Sequence, residues 1–208
     1  MTGVGAVVFD IGNVLIEWNP ERYYESQLGR ERRLQLFADV PLTEMNIAID
    51  AGAPFRETIY EMADRHPDWA DPIRWWHDRW IKMASPRIEH SIALLRALRK
   101  KGVPVFALTN FGTSSFAYAE TQYDFFGEFD RRYISGHLGV IKPDAAIYEE
   151  VEKDSGLSPE ALLFTDDKPE NIEAAAARGW QVHLFESSRG WAERLVAAGL
   201  LNQQEAGL

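Results

Sequence analysis

The sequence predicts an α/β fold: a parallel sheet with a block of helices inserted after its first strand. Three observations lead there. Residues 4–9 form an apolar run that ends in Asp10 and a glycine-containing loop, Ile11-Gly12-Asn13. Two further apolar runs, 103–107 and 161–165, lead into Leu108-Thr109-Asn110 and Asp166-Asp167. From about residue 86 such runs alternate with helical patterns, the rhythm of βαβ units whose helices return the chain to a parallel strand.

Taken in order, residues 4–9 read as a buried strand. Between 17 and 85 no central strand is predicted; helices are expected over 22–28, 31–37, 54–65 and 72–83, with Gly29, Pro41, Gly52 and Pro67 separating them. Residues 86–100 carry Ile88, Ile92, Leu95 and Leu98 at helical spacing, end in Arg96, Arg99 and Lys100, and stop before Gly102. A strand follows through Leu108. Helices over 145–154 and 169–178, a strand over 181–185 and an amphipathic helix over 191–198 complete the chain.

At 208 residues the chain can bury one substantial core, or one core with a small accessory lobe. Its formal charge of -10 argues against a general grip on nucleic-acid phosphates. With no cysteine, neither a disulfide framework nor thiol chemistry is available. No apolar stretch reaches the roughly 18 residues of a membrane span, and no secretory segment is apparent. The expectation is a soluble, cytoplasmic protein, monomer or homodimer, without nucleic-acid or membrane partners.

The chemistry resides at the strand ends. A carboxylate delivered by a buried strand, as Asp10 is, stands at the carboxyl edge of the sheet, where open α/β folds hold their ligands. Alone it reads more readily as a turn or helix-cap residue. Asp166-Asp167 reads either as an acidic pair for a cation or as a helix cap before Pro169. Trp69, Trp75, Trp76 and Trp80 suggest an aromatic wall for a substrate, but packing is the preferred reading, because Trp76 and Trp80 share a helix face.

In this order, Asp10, Leu108-Thr109-Asn110, Lys142-Pro143 and Asp166-Asp167 resemble the motifs of the haloacid dehalogenase-like (HAD) hydrolase superfamily, over nearly the whole chain. The resemblance implies a Rossmann-like core over 1–16 and 86–208 and a helical cap of the family's first class over 17–85. It makes Asp10 the nucleophile and has Thr109 and Asn110 hold the phosphoryl group. Lys142 neutralises charge, and Asp10, the carbonyl of Gly12, Asp166 and Asp167 bind Mg2+. Such an ion would relieve a repulsion between carboxylate and phosphate dianion of about 4 kcal/mol at an effective dielectric of 20.

The run FDIGNVL looks most like the branch of sugar-phosphate phosphatases of the glucose-1-phosphate type. Most relatives in the wider family carry a second Asp, acting as general acid, where Gly12 stands. Asn171 occupies a place where many carry a carboxylate, and is expected to orient Asp10 or a metal-bound water. Glu17, Asn19, His66 and His77 are candidates for the missing acid, none assigned. The reading is a magnesium-dependent phosphatase of a small phosphorylated metabolite, such as a sugar 1-phosphate, acting through a phosphoaspartate. Two alternatives stand beside it: a metal-free 2-haloacid dehalogenase, whose Lys-Pro-x-x-x-x-Tyr run residues 142–148 echo, and a non-catalytic binding protein.

Overall fold

The computed structural model describes residues 3–208. Strand β1 (Ala6–Phe9) is buried at every position. A short strand β2 (Ile16–Trp18) leads into six helices: α1 (Pro20–Leu28), α2 (Arg30–Asp39), α3 (Leu42–Asp50), α4 (Phe55–Arg65), α5 (Ala70–Asp78) and α6 (Trp80–Met83). Strand β3 (Ala84–Arg87) returns the chain, followed by α7 (Glu89–Lys100), β4 (Val105–Thr109), α8 (Thr113–Gln122), β5 (Arg131–Ile134) and α9 (Ser135–Leu138). Last come α10 (Ala145–Ser155), β6 (Leu162–Asp166), α11 (Pro169–Ala177), β7 (Gln181–Leu184) and α12 (Ser188–Ala197).

Five strands form one parallel sheet in the order β5-β4-β1-β6-β7. Because β1 lies between β4 and β6, Phe9 pairs with Ala107 on one side and with Thr165 on the other. The three strands that carry Asp10, Thr109 and Asp166 therefore end side by side. Their uninterrupted apolar runs fit strands covered on both faces. The pleat divides the core accordingly. Val7, Phe9, Val105, Ala107 and Leu163 face one apolar cluster; Ala6, Val8, Phe106, Leu108 and Phe164 face the other, which Tyr148, Val151 and Trp180 complete. Leu36, Ile59 and Trp76 of the helical block belong to the same continuous cluster as Val7 and Phe9.

Several elements differ from the sequence expectation. The helix predicted from residue 86 begins at Glu89, because Ala84–Arg87 is a strand antiparallel to β2, with Ile16 opposite Arg87 and Trp18 opposite Ala84. Pro86 favours an extended Ser85, and the strand's partner lies about seventy residues upstream, beyond any local pattern. The single helix expected over 72–83 breaks at Arg79, whose φ of -129° and ψ of 21° leave the helical region. Helix α3 was not expected: its apolar stripe of Leu42, Met45 and Ile49 is blurred by Ile47, which is exposed. Helix α8, rich in Ser, Thr and Ala, and edge strand β5, which opens on two exposed arginines, also lack a clean period. Among the described residues no helix is long and apolar enough to cross a membrane.

Helix α3 is seated closely on the sheet-edge loops. The Ser135 hydroxyl donates to the Asp50 carbonyl at 2.6 Å. A methyl group on Gly112 would come within 2.5 Å of the Ile49 side chain, and one on Gly136 within 2.6 Å of the Thr113 nitrogen, so both positions need the bare backbone.

Candidate active site

Asp10 follows β1 directly, and its N–H donates to the Thr165 carbonyl of β6 at 2.9 Å. The side chain turns toward Lys142, which arrives from the loop before α10 and is fully enclosed: 3% of it is exposed. The Lys142 ammonium uses its three donors on three oxygens. Asp10 Oδ1 lies at 2.9 Å, Asp166 Oδ2 at 2.6 Å and the Leu108 carbonyl at 2.8 Å. Burial alone would pull the Lys142 pKa down, but the two carboxylates outweigh it and hold the pKa above its usual value. The lysine is a fixed internal cation.

Burial acts oppositely on Asp10. It pushes the carboxyl up to about 7, Lys142 opposes the rise, and Asp166 and Asp167 add to it. Burial likewise raises Asp167, against a hydrogen bond from Asn13. Carboxylate oxygens of Asp10, Asp166 and Asp167 all lie within 4.8 Å of one another. Three carboxylates against one ammonium leave two negative charges in excess, which a divalent cation would balance. An all-oxygen set of carboxylates suits Mg2+. The residues present therefore fit the ion.

Three asparagines hold these groups in place. Asn171, buried in the first turn of α11, donates to both oxygens of Asp166 at 3.0 Å, so it orients Asp166, where the sequence suggests Asp10 or a metal-bound water. Asp166 also accepts from the Lys168 N–H at 2.8 Å, whereas the first turn of α11 has no side-chain cap, so the acidic pair is not a helix cap. Asn110 uses both ends of its amide on Lys142, donating to its carbonyl at 2.9 Å and accepting from its N–H at 2.8 Å. Thr109, buried at the end of β4, is thereby tied to the lysine loop. Asn13, with a φ of 56°, donates to Asp167 at 2.9 Å and accepts from the Trp18 N–H at 2.9 Å. Asparagine tolerates that left-handed conformation better than most residues. Sequence reasoning missed Asn13, although the Gly12-Asn13 pair was its signal.

Gly12 is not required by its own backbone. Its φ lies outside the left-handed region, and an added Cβ would find its nearest neighbour, Trp18 Cβ, 3.9 Å away. A side chain is absent where one would fit.

Above the strand ends lies a cavity of about 340 Å³ between the sheet edge and the helical block. Asp10, Thr109, Asn110 and Lys142 line it at the sheet; Trp76 and Trp80 line it from the helices, so these two rings both pack and face the cavity. Trp69, whose indole N–H donates to Asp39, and Trp75, stacked on Tyr24, are not part of its lining. Neither are Glu17, Asn19, His66 and His77: Glu17 pairs with Arg22, Asn19 caps α1, His66 ends α4 and His77 contacts Asp78. The cavity instead contains Asp50, which sequence reasoning missed because α3 was not recognised. Burial pushes the Asp50 carboxyl up to about 7, against Lys168 and with the help of Asp10.

Residues 4–179 match the family described as "Hydrolase: haloacid dehalogenase-like hydrolase". The chain is 27% identical over 199 residues to the sesquiterpene phosphatase astK of Aspergillus oryzae, spanning 88% of this chain and 90% of that one. To the D-ribitol-5-phosphate phosphatase of Bacteroides thetaiotaomicron it is 20% identical over 212 residues, covering 91% and 96%. Among solved structures, the HAD family enzyme bt-2542 of the same organism superposes with a TM-score of 0.74 at 20% identity, over 93% of this chain and 98% of that one. That enzyme has also been solved in complex with magnesium and inorganic phosphate, with a TM-score of 0.66 at 21% identity over 86% of this chain and 93% of that one. The chain belongs to the haloacid dehalogenase-like hydrolases and is a phosphatase-type member of that family.

Proposed function

We propose that this hydrolase is a magnesium-dependent phosphatase of a small phosphorylated metabolite, acting through a phosphoaspartate on Asp10, with residues 17–85 as its cap. The observation that carries this reading is the buried Lys142 held between Asp10 and Asp166, with a third carboxylate alongside. The ammonium aims Asp10 and opposes the rise of its pKa, and the excess of carboxylates over ammonium calls for a divalent cation. A bound Mg2+ would offset the repulsion between the nucleophile and the phosphate dianion.

In the first step an Asp10 oxygen forms a bond to phosphorus as the bond to the alcohol oxygen breaks. The Thr109 hydroxyl and the Asn110 N–H hold the phosphoryl oxygens, and Lys142 steadies the charge on the nucleophile side. The departing oxygen needs a proton, a contribution worth roughly 10²–10⁴ in rate, which Gly12 cannot supply. We assign that proton to Asp50, because it lines the same cavity and its carboxyl titrates at about 7. Asp50, now ionised, takes a proton from water as the water oxygen bonds to phosphorus and the bond from phosphorus to Asp10 breaks, which releases phosphate and restores both carboxyls. A sugar 1-phosphate satisfies this chemistry in having an easily expelled leaving group.

Asp10→Asn should fold and lose hydrolysis, and acid-quenched wild type should retain label from a ³²P-labelled substrate on Asp10. Chelator should abolish turnover. Phosphatase activity that survives chelation would sink the metal-dependent reading, and halide release from a 2-haloacid under chelation would replace it with the dehalogenase.

A further inference from the structure

We infer that the organic half of the substrate is an extended apolar group, so that the ester is the monophosphate of an apolar alcohol rather than of a polyol. This rests on the phosphatase reading above and concerns the other end of the same cavity. Five aromatic rings that line it form an unbroken strip. Centroids are 6.5 Å apart for Phe37 and Trp76, 5.8 Å for Trp76 and Trp18, 5.9 Å for Trp18 and Trp80, and 5.4 Å for Trp80 and Phe111. Ile47 continues the apolar lining to the mouth, where 48% of it remains exposed. An aliphatic side chain left in water beside a cavity is surface available for burial by a ligand.

Three polar groups that line the cavity away from the sheet edge are already engaged with the protein. Glu21 accepts from Arg33 at 2.6 Å. Asn46 accepts from the Trp76 indole N–H at 3.2 Å and donates to Asp50 at 2.8 Å, and the Ser115 hydroxyl donates to the Gly112 carbonyl at 3.1 Å. A polyol entering here would lose water at several hydroxyls and find these partners taken, and each unmatched buried hydroxyl is costly. An alkyl or isoprenoid chain loses nothing comparable and covers the rings. The inferred ligand therefore has its charge at one end, met by Lys142 and Thr109, and hydrocarbon at the other. It replaces the sugar 1-phosphate suggested by the FDIGNVL run.

The test is a series of n-alkyl monophosphates from ethyl to decyl, below their aggregation concentrations, with magnesium, beside glucose 1-phosphate, ribitol 5-phosphate and acetyl phosphate. The leaving alkoxides are chemically alike along the series, so chain length reports burial alone. We expect kcat/KM to rise ~2–4-fold per added methylene until the cavity is filled. The best alkyl ester should exceed both polyol esters by more than 100-fold, and Trp80→Ala should flatten the rise while Trp80→Phe keeps part of it. A flat series, or preference for a polyol, with acetyl phosphate still hydrolysed through Asp10 would overturn the apolar class and leave the phosphatase standing. Should no ester turn over, the phosphatase reading fails instead, and binding decides the class: octyl phosphonate must quench tryptophan fluorescence at far lower concentration than methyl phosphonate. Equal affinity for the two would overturn the inference.

Discussion

Asp50→Asn should gain steadily on wild type in stability as pH rises from 5 to 8. The Asp50 carboxyl rises from 3.8 in an unperturbed chain to about 7 in the fold, with burial as the largest cause. Between those values the folded state binds more protons than the unfolded one, so stability is full at low pH and falls as pH rises through about 7. About three pH units at about 1.36 kcal/mol each come to about 4 kcal/mol, and partial solvent contact at Asp50 reduces this to about 2–4. Asp10 titrates in the same window and in the same direction, but it remains in the variant, so the difference between the two proteins isolates Asp50. The amide keeps an oxygen for the Asn46 N–H, so its pH-independent cost is at most about 1 kcal/mol. Urea midpoints measured in chelator at pH 5, 6, 7 and 8 should show the variant within about 0.5 kcal/mol of wild type at pH 5, where part of the loss has already accrued, and stronger by about 1–3 kcal/mol at pH 8. Parallel curves with a constant offset would refute the reasoning, since they would mean that Asp50 is ionised throughout.

Gly12→Asp should fold normally, given the space around its Cβ, and in an Asp50→Asn background should restore hydrolysis of alkyl phosphates by roughly 10-fold or more while changing acetyl phosphate little, because only the former lack a good leaving group; equal effects on both would argue against a proton-limited step. Replacing both Asp166 and Asp167 by Asn should weaken magnesium binding by at least about 100-fold in calorimetry, with far-ultraviolet dichroism unchanged, and an unaltered affinity would remove the pair from the metal site. Lys142→Met should cost about 3–5 kcal/mol, because Asp10 and Asp166 lose their buried cation. That loss should be larger at pH 8 than at pH 5, where the bereft carboxyls are more nearly protonated; a pH-independent loss would mean that the lysine acts by packing alone. Asn110→Ala should raise the inhibition constant of inorganic phosphate by about tenfold by freeing the lysine loop, and an unchanged inhibition constant would show that the clasp does not position the phosphoryl site.

Some of this was legible along the chain. The central strands announce themselves because burial on both faces leaves an unbroken apolar run, and the chemistry at their ends is therefore adjacent in sequence to a strong signal: Asp10, Thr109 and Asp166 each follow such a run. Asp50 had no such signpost. It ends a helix whose stripe is confused by exposed Ile47, an apolar residue whose exposure makes sense only beside the cavity. The partner of Asn171 was misjudged because a contact across α11 and β6 depends on which way one side chain turns, and no periodicity records that. The β2–β3 pairing joins residues about seventy apart, which local propensity cannot foresee.

The ribbon of β2 and β3 has a consequence for recombination between relatives. Departure and return of the chain lie side by side, with Trp18 opposite Ala84, so in connectivity the helical block is a cassette that a short turn could replace. Energetically it is no such thing. Trp76 packs on Trp18 and Trp80 on Phe111, and a protein stripped of the block would turn Trp18 and Phe111 outward and aggregate. A block grafted from a relative must also bring a helix end that fits against Gly112, where not even a methyl group can be added without meeting Ile49. Chimaeras that exchange residues 19–83 together with the loops at 111–113 and 135–136 should be soluble, and those that exchange the helices alone should not.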